Sequence, residues 1–457
     1  MPAATAIAQL RDRLGADVVT DDPAECWSYG YDNSRRHVAP AAVVRPDSPE
    51  SVKTAIEICN QTRTPVTARG YGSGTTGAAV PSNGGIVLST ERLTTIHRID
   101  PDNRAAVVQA GVTNGAVQRA VAEHGFFWAP DPTSADYSTV GGNLACNAAG
   151  PRAVKYGTTR DNTLGLRAVT GDGRELRTGV YTTKGVVGYD LTRLLIGSEG
   201  TLALITEATL MLRPLPEAIC TIRAVYSDVN SAAAAVARIM AQPVIPRVLE
   251  LMDEAATNLV RSSVTLPADG RALLLVEVDG PAAHLDDAAA AIHTVAGPGL
   301  VAFDQSVDDH HREELWSARR ALSPALRTLA PEKINEDVVV PVSRLSELIA
   351  ALVGIGNDHG VTIVNFGHAG NGNIHVNLLG QTDQLPDMRR CLAKLMQTVV
   401  SLGGTLSGEH GVGLDKRDFV SLEIEPETLG LMRAIKQQFD PNGILNPGKM
   451  FPDLPGL

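Results

Sequence analysis

The segment around which this chain is organised reads NFGHAGNGNIHVN and occupies residues 365–377. Apolar residues flank it on both sides, at 361–364 before it and at 378–379 after it. An apolar run, a glycine-rich interruption and a second apolar run predict two strands joined by a turn. His368 then closes the first strand and His375 opens the second, so the hairpin is expected to bring the two imidazoles together.

A second segment, SGEHGVG at 407–413, contributes Glu409 and His410. Glu409 can complete a set of two histidines and one carboxylate, which suits a divalent metal with coordination positions open to substrate. Asn377 lies two residues beyond the second histidine of the hairpin and therefore shares its face of the strand. The alternative is that the histidines only satisfy hydrogen bonds in a loop. The glycine density favours the metal site, because it indicates close backbone approach to another group.

Composition narrows the class of protein. A chain of 457 residues predicts two or three domains. The net charge of −11, without any lysine- or arginine-rich run, argues against nucleic acid as a partner. No apolar run can span a bilayer and no secretory signal is recognisable, so a cytoplasmic protein is expected, with peripheral binding to the inner membrane or a mature organellar protein as alternatives. The five widely spaced cysteines predict neither a disulfide framework nor a thiolate zinc site.

Residues 70–77 read GYGSGTTG and contain a G-x-G-x-x-G pattern after a strand predicted at 65–69. A Rossmann fingerprint needs a helix that opens at these glycines, and Pro81 with the glycine pair at 84–85 excludes one. Consecutive backbone N–H groups in such a loop still form a nest for an anion. We therefore expect a phosphate-binding loop, with a wide structural turn as the alternative.

Two more segments are rich in glycine, at 130–157 and 197–206. The first is uncharged in its middle and full of small residues, which is typical of a loop pressed against a large, mostly apolar ligand. Together the three loops indicate an extended cofactor rather than a single phosphate. Pro214 and Pro216 mark a domain boundary, beyond which strands and helices alternate. That alternation predicts an α+β domain with an antiparallel sheet and helices on one side.

In combination, these segments resemble one family, the FAD-dependent D-2-hydroxy-acid dehydrogenases of the vanillyl-alcohol-oxidase fold. The family includes D-lactate dehydrogenase, D-2-hydroxyglutarate dehydrogenase and the flavin subunit of glycolate oxidase. The matching pieces are 69–77, 141–150, 197–206, Trp316 with Arg319, 367–377, 409–413 and 446–449. The resemblance implies an α+β fold with a two-part FAD-binding domain. It divides the chain into an FAD-binding domain at 1–215, a substrate domain with the metal site at 216–415, and a C-terminal segment at 416–457 that returns to the FAD domain.

The resemblance also implies which residues hold the flavin. The pyrophosphate would lie on Arg69, Gly70, Tyr71, Gly72, Ser73, Gly74, Thr75, Thr76 and Gly77. The isoalloxazine and ribityl chain would lie on Pro130, Asp131, Thr133, Ser134, Gly141, Gly142, Asn147 and Gly150. Ile205 would pack near the adenosine, and Glu199, Gly200 and Asn446 would be further cofactor contacts. Relatives that bind flavin covalently use a histidine in the first loop. Threonines stand there in this chain, so the FAD is expected to be non-covalent.

For the metal, the resemblance implies His368, His375 and Glu409 as ligands, with zinc first and manganese or iron as alternatives. It implies a substrate site made of Arg319, Ser323, Asn335, Asn377 and His410. The arginine would bind the α-carboxylate, and His410 would act as general base, because an unperturbed imidazole titrates near neutral pH. The reaction implied is hydride transfer from a 2-hydroxy acid to the flavin.

The chain departs from the family pattern at two positions. Asn371 stands where an aspartate is common, which removes a charge from the turn. Asn335 stands where 2-hydroxyglutarate enzymes have a lysine, although Lys333 is close. The weaker hold on a distal anion favours a smaller or apolar substrate such as D-lactate, with D-2-hydroxyglutarate and glycolate as the alternatives.

The chain contains no second redox motif, so the electron acceptor is expected to be external: a quinone, a cytochrome or an electron-transferring flavoprotein. A homodimer is compatible with these features. Three other functions are the alternatives: an FAD-dependent transferase of the alkyl-dihydroxyacetone-phosphate synthase type, a metallohydrolase in which the glycine loops are structural, and a non-catalytic subunit with the same fold.

Overall fold

The computed structural model describes residues 2–81, 84–262 and 264–453, and it divides into two compact units. Unit 1 comprises Met1–Gly150, Gly157–Leu215 and Glu409–Leu457, and unit 2 comprises Pro151–Tyr156 and Pro216–Gly408. The sequence prediction had placed 409–415 with the substrate domain and 151–156 with the FAD domain. The chain therefore passes from unit 2 back to unit 1 between Gly408 and Glu409.

Unit 1 contains two sheets. The first has the order β1-β2-β4-β3, formed by Val19–Thr20, Ala42–Val44, Ile86–Ser89 and Val66–Arg69. The second has the order β5-β6-β10-β8-β9, formed by Ile96–Asp100, Ala105–Gln109, Ala203–Pro214, Thr163–Thr170 and Glu175–Gly179, and β7 (Phe126–Trp128) also pairs with β10. In the first sheet β4 runs parallel to β2 and β3, whereas the second sheet is antiparallel throughout its described pairs.

The helices of unit 1 are α1 (Pro2–Leu14), α2 (Pro23–Ser28), α3 (Pro49–Thr62), α4 (Asn114–Ala122), α5 (Val140–Cys146), α7 (Leu191–Leu195), α14 (Val420–Glu423) and α15 (Pro426–Phe439). Helix α3 begins with a capped first turn, because Ser48 Oγ accepts the Ser51 N–H at 3.2 Å and proline occupies the first helical position. Its apolar face, which includes Ile56, is buried in the core of the first sheet.

Among the described residues, no helix lies between the first glycine-rich loop and β4. Strand β3 ends at Arg69, and the chain from Gly70 to Gly77 is irregular before β4 begins at Ile86. Gly72 and Gly77 have φ values of +70° and +79°, a region that suits glycine. The expectation that this loop is not a Rossmann fingerprint is confirmed.

Unit 2 is built on one seven-stranded sheet with the order β14-β11-β13-β12-β16-β17-β15. These strands are Leu300–Gln305, Ala218–Tyr226, Ala272–Gly280, Val248–Met252, Thr362–Gly367, Asn373–Gly380 and Glu332–Val339. Each described pair is antiparallel, as the sequence predicted.

Helices cover both faces of this sheet. The helices of unit 2 are α6 (Ala153–Tyr156), α8 (Val229–Met240), α9 (Glu254–Val260), α10 (Leu285–Ala296), α11 (Asp309–Leu329), α12 (Leu345–His359) and α13 (Leu385–Ser401). Ile363 and Leu378 pack with α12 and α13, whereas the next residues, Val364 and Leu379, pack with α9 and α11. Because successive strand residues face opposite ways, the expectation of helices on one side only is wrong.

Helix α11 is held on the sheet by its apolar face, so truncation there should destabilise unit 2. Leu322 is fully buried against the sheet. Leu322→Ala is expected to cost about 2–5 kcal/mol, the range for a buried leucine that leaves a cavity. Urea unfolding followed by circular dichroism measures the loss. Leu329→Ala is the control, because this residue of the same helix is 48% exposed and its truncation should shift stability by no more than about 0.5 kcal/mol. Equal losses in both variants would contradict the packing described.

Candidate metal and substrate site

The predicted hairpin is present in unit 2. Strands β16 and β17 are joined by a short 3-10 turn, and Phe366 lies opposite His375 in the register. Gly372 closes the turn with φ +73°, and a Cβ there would overlap the carbonyl oxygen of Val340. Because only glycine meets both demands, the turn fixes where the two histidines project.

His368 and His375 meet through their Nε2 atoms, which are 3.3 Å apart. Both side chains are buried, and the rings stand nearly perpendicular, with an interplanar angle of 87°. Two nitrogens bound to one tetrahedral zinc ion at about 2.0–2.1 Å lie about 3.4 Å from each other. The spacing of this pair therefore fits two ligands of one divalent cation.

A buried carboxylate that sequence reasoning missed supports this pair. Glu250, on β12, is 1% exposed. It accepts a hydrogen bond from His368 Nδ1 through Oε1 and one from Arg319 Nε at 2.9 Å through Oε2. Burial raises the pKa of Glu250, but the charges and hydrogen bonds of His368 and Arg319 lower it more, to about 2.

Glu250 is therefore an acceptor only, and His368 must carry its proton on Nδ1. In the neutral ring, this tautomer places the lone pair on Nε2, the atom that would bind a metal, as in many metal-bound histidines with a carboxylate behind them. One signal could have pointed to Glu250: it is the single charged residue in the strand VLELM, whose residues are all buried. A charge in such a strand requires a partner.

Arg319 lies on α11, beside the histidine pair. Its guanidinium carbon lies 4.5 Å from the centre of the Phe366 ring, and its side chain is 15% exposed. Nε is used by Glu250, while the two Nη groups donate to no acceptor in the part of the chain that the structure describes. The side chain is thus not a solvated helix residue, which was the simpler reading of its sequence context.

Strand β15 adds a second row of polar residues. Asn335 lies opposite Asn377 and Asp337 lies opposite His375, so all four share one face of the sheet. Asn377 is fully buried, and its Nδ2 donates to the Val364 carbonyl at 3.1 Å. Its Oδ1 is buried without a hydrogen-bond partner among the described residues. A buried amide oxygen left unpaired is costly, which fits a position that awaits a ligand.

Two further predicted positions need separate statements. Asn371 lies in the turn and is exposed. The aspartate of the family pattern would therefore place its charge on the surface of unit 2. The side chain of Ser323 lies outside the described part of the structure.

Glu409 and His410 belong to unit 1. The Gly150 N–H donates to Glu409 Oε2 at 2.7 Å, and Thr76 Oγ1 donates to the His410 carbonyl at 3.3 Å. Two more backbone donors, Val412 N–H at 2.5 Å and Gly413 N–H at 2.8 Å, bind the buried carboxylate of Glu199. Glu199, predicted as a cofactor contact, therefore uses its side chain to hold the 409–413 segment.

The last residue of unit 2 is fixed as firmly. The Gly408 N–H donates to Asp337 Oδ2 at 2.8 Å, and Ser407 Oγ donates to Asp337 Oδ1 at 3.2 Å. A Cβ at Gly408 would overlap the Asn373 side-chain amide. The chain therefore leaves unit 2 from a packed position at the hairpin, one residue before Glu409.

The first glycine loop fits an anionic ligand. Within the described ranges, the backbone N–H groups from Tyr71 to Gly77 donate to no protein acceptor, and Thr75 Oγ1 is buried without a partner. Such free donors in a row form an anion nest. Arg69 lies beneath this loop and donates to the Tyr31 carbonyl at 2.5 Å, and a Cβ at Gly72 would overlap its guanidinium. Arg69 therefore supports the loop from below.

The second predicted flavin segment contains two loop stretches that lie side by side. The Asp131 N–H donates to the Ala149 carbonyl at 3.0 Å, and Gly150, with φ +99°, leaves no room for a Cβ beside Asp131. Asn147 ends α5 in the left-handed region, and its Oδ1 accepts the Arg160 N–H at 2.9 Å. The remaining predicted residues of this segment differ in exposure: Pro130 is buried, Thr133 is exposed, and Ser134, Gly141 and Gly142 are partly buried.

The C-terminal tail reaches the same loops through Asn446. Its Nδ2 donates to the Ala78 carbonyl at 2.9 Å and to the Glu199 carbonyl at 2.7 Å, and its Oδ1 accepts Lys449 Nζ at 2.9 Å. Burial lowers the pKa of Lys449 to about 8. Ile205 lies in the core of the second sheet. Unit 1 thus gathers all the predicted flavin segments, with free donors and glycine cradles that fit FAD.

Family models match most of the chain. Residues 40–179 match the FAD binding domain, and residues 215–450 match the C-terminal domain of FAD linked oxidases. None of the helices in the described ranges is long and apolar enough to cross a membrane.

Several characterised sequences align over almost the full length of the chain. Glycolate oxidase subunit GlcD of Bacillus subtilis is 36% identical over 97% of this chain and 96% of its own. D-lactate dehydrogenase of Archaeoglobus fulgidus is 36% identical over 96% of this chain and 98% of its own. D-2-hydroxyglutarate dehydrogenase of Stutzerimonas stutzeri is 30% identical over 97% of this chain and 98% of its own.

Solved structures identify the fold. p-Cresol methylhydroxylase superposes with a TM-score of 0.80 at 18% identity, covering 99% of this chain and 97% of that one. At that identity the match shows the fold alone, which is of the vanillyl-alcohol-oxidase type. The predicted fold and the predicted resemblance are both confirmed.

The glycine loop yields a direct test of flavin binding. In Gly72→Ala, a Cβ would overlap the Arg69 guanidinium at a position with φ +70°, so the guanidinium or the loop must shift and the backbone is strained, which should disturb the nest. The flavin-to-protein absorbance ratio of the purified variant is expected to fall on the order of 10-fold, the loss for about 1.4 kcal/mol. Gly443→Ala is the matched control, since φ is +64° there and nothing lies within 4 Å of the new atom. Equal flavin loss in both variants would point to backbone strain alone.

Proposed function

The chain belongs to the FAD-linked oxidase family, and on that premise we propose that it oxidises a small D-2-hydroxy acid, D-lactate first, to the 2-oxo acid. It is an FAD-linked oxidoreductase of the type that includes glycolate oxidase subunit GlcD, D-lactate dehydrogenase and D-2-hydroxyglutarate dehydrogenase. The observation that carries the substrate proposal is the histidine pair of the hairpin, with Arg319 held next to it by Glu250. Bound FAD, non-covalent in this proposal, supplies the hydride acceptor.

We propose that His368, His375 and Glu409 hold a divalent metal, zinc first and manganese or iron as alternatives. The 3.3 Å separation of the two Nε2 atoms supports the histidine part. Chain connectivity supports Glu409, because Gly408 is anchored at Asp337, which lies opposite His375 in the sheet. A metal bound there lowers the pKa of a coordinated substrate hydroxyl.

The protein groups that act on the substrate follow from their chemistry. The two Nη groups of Arg319 can hold an α-carboxylate in the bidentate manner that guanidinium favours. Asn377 offers its unpaired Oδ1 to the substrate hydroxyl. His410 takes the hydroxyl proton as general base.

The size of the substrate is set by the row that β15 contributes. Asn335 is partly buried opposite Asn377, and Lys333 lies two residues further along on the same face. Two residues of strand span about 6.6–6.8 Å, so a distal carboxylate must extend well past Asn335 to reach Lys333. The methyl group of D-lactate needs neither the amide of Asn335 nor the ammonium group of Lys333. The row therefore favours D-lactate over D-2-hydroxyglutarate, and glycolate is the other alternative.

Electrons leave through an external acceptor in this proposal: a quinone, a cytochrome or an electron-transferring flavoprotein. A panel of D- and L-2-hydroxy acids with an artificial dye as acceptor tests the proposal most directly. Dye reduction by D-lactate and by no L-enantiomer is the expected result. Reduction by none of the acids would overturn the proposed function.

Removing one histidine should abolish metal binding and leave flavin binding intact. His375→Ala takes away one imidazole ligand in unit 2, whereas the flavin segments lie in unit 1. The variant is expected to lose its metal and at least about 1000-fold in turnover, the scale of several kcal/mol that a catalytic metal contributes, with its flavin retained. Metal analysis, flavin absorbance and dye reduction measure the three quantities.

His359→Ala is the control for this experiment. His359 also lies in unit 2, at the end of α12, and its Nδ1 contacts the Ile355 carbonyl at 2.9 Å, away from the hairpin. It should keep metal, flavin and turnover. Full turnover in His375→Ala would rule out the proposed metal site.

Adding a cation to the substrate row should change specificity. Asn335→Lys places an ammonium group on the face that carries Asn377 and His375, where it can bind a distal carboxylate. The ratio of kcat/KM for D-2-hydroxyglutarate to that for D-lactate is expected to rise about 10-fold or more, since a charge-assisted hydrogen bond contributes roughly 1.5–3 kcal/mol. Glu332→Lys, on the same strand but the opposite face, should leave the ratio unchanged. An equal change of the ratio in both variants would show that the effect comes from long-range electrostatics and not from a contact at position 335.

A further inference from the structure

We propose that Glu250 is a positioning residue that sets two parts of the site at once, the tautomer of His368 and the direction of Arg319. The inference rests on the proposed function, because it concerns how the metal ligand and the carboxylate-binding arginine are held. It adds a role for a strand residue that neither the motifs nor the family match assigns.

The backbone register places Glu250 at His368. In the β12–β16 pair, Met252 lies opposite Phe366 and Leu251 lies opposite Gly367, so the next position of β12 faces the residue after β16. That position is Glu250 and that residue is His368. The contact is thus built into the sheet and does not depend on a long flexible side chain.

The carboxylate divides its two oxygens between the two partners. Oε1 accepts from His368 Nδ1 and Oε2 accepts from Arg319 Nε at 2.9 Å. Each partner is left with its other nitrogens directed elsewhere: Nε2 of His368 towards His375, and the Nη pair of Arg319 without a protein acceptor in the described ranges. A glutamine at this position would meet one of the two donors with its NH2 group, and the bond to its oxygen would lack the charge that strengthens it.

A neighbouring carboxylate provides the comparison. Glu277 lies on β13, and its strand partner in β12 is Val248, two residues before Glu250, so both carboxylates share one face. Glu277 is also buried, and α11 holds it through Trp316 Nε1 at 2.8 Å, one turn before Arg319. It contacts Thr221 and Arg247 but neither histidine of the hairpin.

The experiment compares Glu250→Gln, Glu250→Asp and Glu277→Gln in the flavin-loaded protein. Zinc affinity is measured by competition with a chelator, and KM and kcat are measured with D-lactate and a dye. In Glu250→Gln, zinc affinity should fall about 10–100-fold, the usual effect of losing a group that orients a ligand, and KM should rise about 10-fold or more. Glu250→Asp should recover part of both losses because it restores the charge. Glu277→Gln should stay within about 3-fold of the parent in zinc affinity and KM, although the lost buried contacts lower its stability.

A measurement on the parent protein makes the proposal independent of whether the Glu250 variants fold. Nitrogen NMR of the zinc-loaded, histidine-labelled protein, with His368→Gln used for assignment, should show the His368 proton on Nδ1. A proton on Nε2 overturns the proposal. Parent-like zinc affinity and KM in Glu250→Gln overturn it as well, while the proposed function stands. If the parent binds no zinc and no D-2-hydroxy acid reduces its flavin, it is the proposed function that has failed.

Discussion

The buried Glu250 carboxylate is the interaction on which the substrate side of this protein depends. An isolated charge with 1% exposure is tolerated only when its partners compensate for the lost hydration. Here the partners come from different elements, His368 from the hairpin and Arg319 from α11. The same contact that makes the charge tolerable therefore fixes helix, strand and turn relative to each other within unit 2. Removing either partner would leave a buried charge, so the arrangement is all or none.

A similar logic governs the place where the chain passes from unit 2 to unit 1. Asp337 binds the backbone of Gly408 on one side, and Glu199 binds the backbone of Val412 and Gly413 on the other. Backbone donors bound to buried carboxylates tolerate little movement, because each is a charge-assisted hydrogen bond. Glu409 and His410 lie between these two anchors. The segment is thus held at both ends, although Gly408, Gly411 and Gly413 would otherwise allow it many conformations.

The sequence predicted this site unevenly, for physical reasons. The hairpin was predictable because apolar alternation and a glycine turn are local signals. The absence of a Rossmann helix was predictable from Pro81 and the glycines that follow. Glu250 was not, because a lone glutamate in an apolar strand shows that a partner exists but not where it lies. The helices on both faces were missed because the adjacent apolar pairs that indicate burial on both sides, Ile363 with Val364 and Leu378 with Leu379, are short and are followed or preceded by polar residues.

The proposed preference for a monocarboxylate follows from where the charged side chains of this face lie. Arg319 is bound to Glu250 through Nε, which leaves its Nη groups for one substrate carboxylate. The β15 row places Asn335, not a cation, opposite Asn377, and it places Asp337 opposite His375 on the same face. A second substrate carboxylate therefore gains nothing at this row unless a further cation meets it.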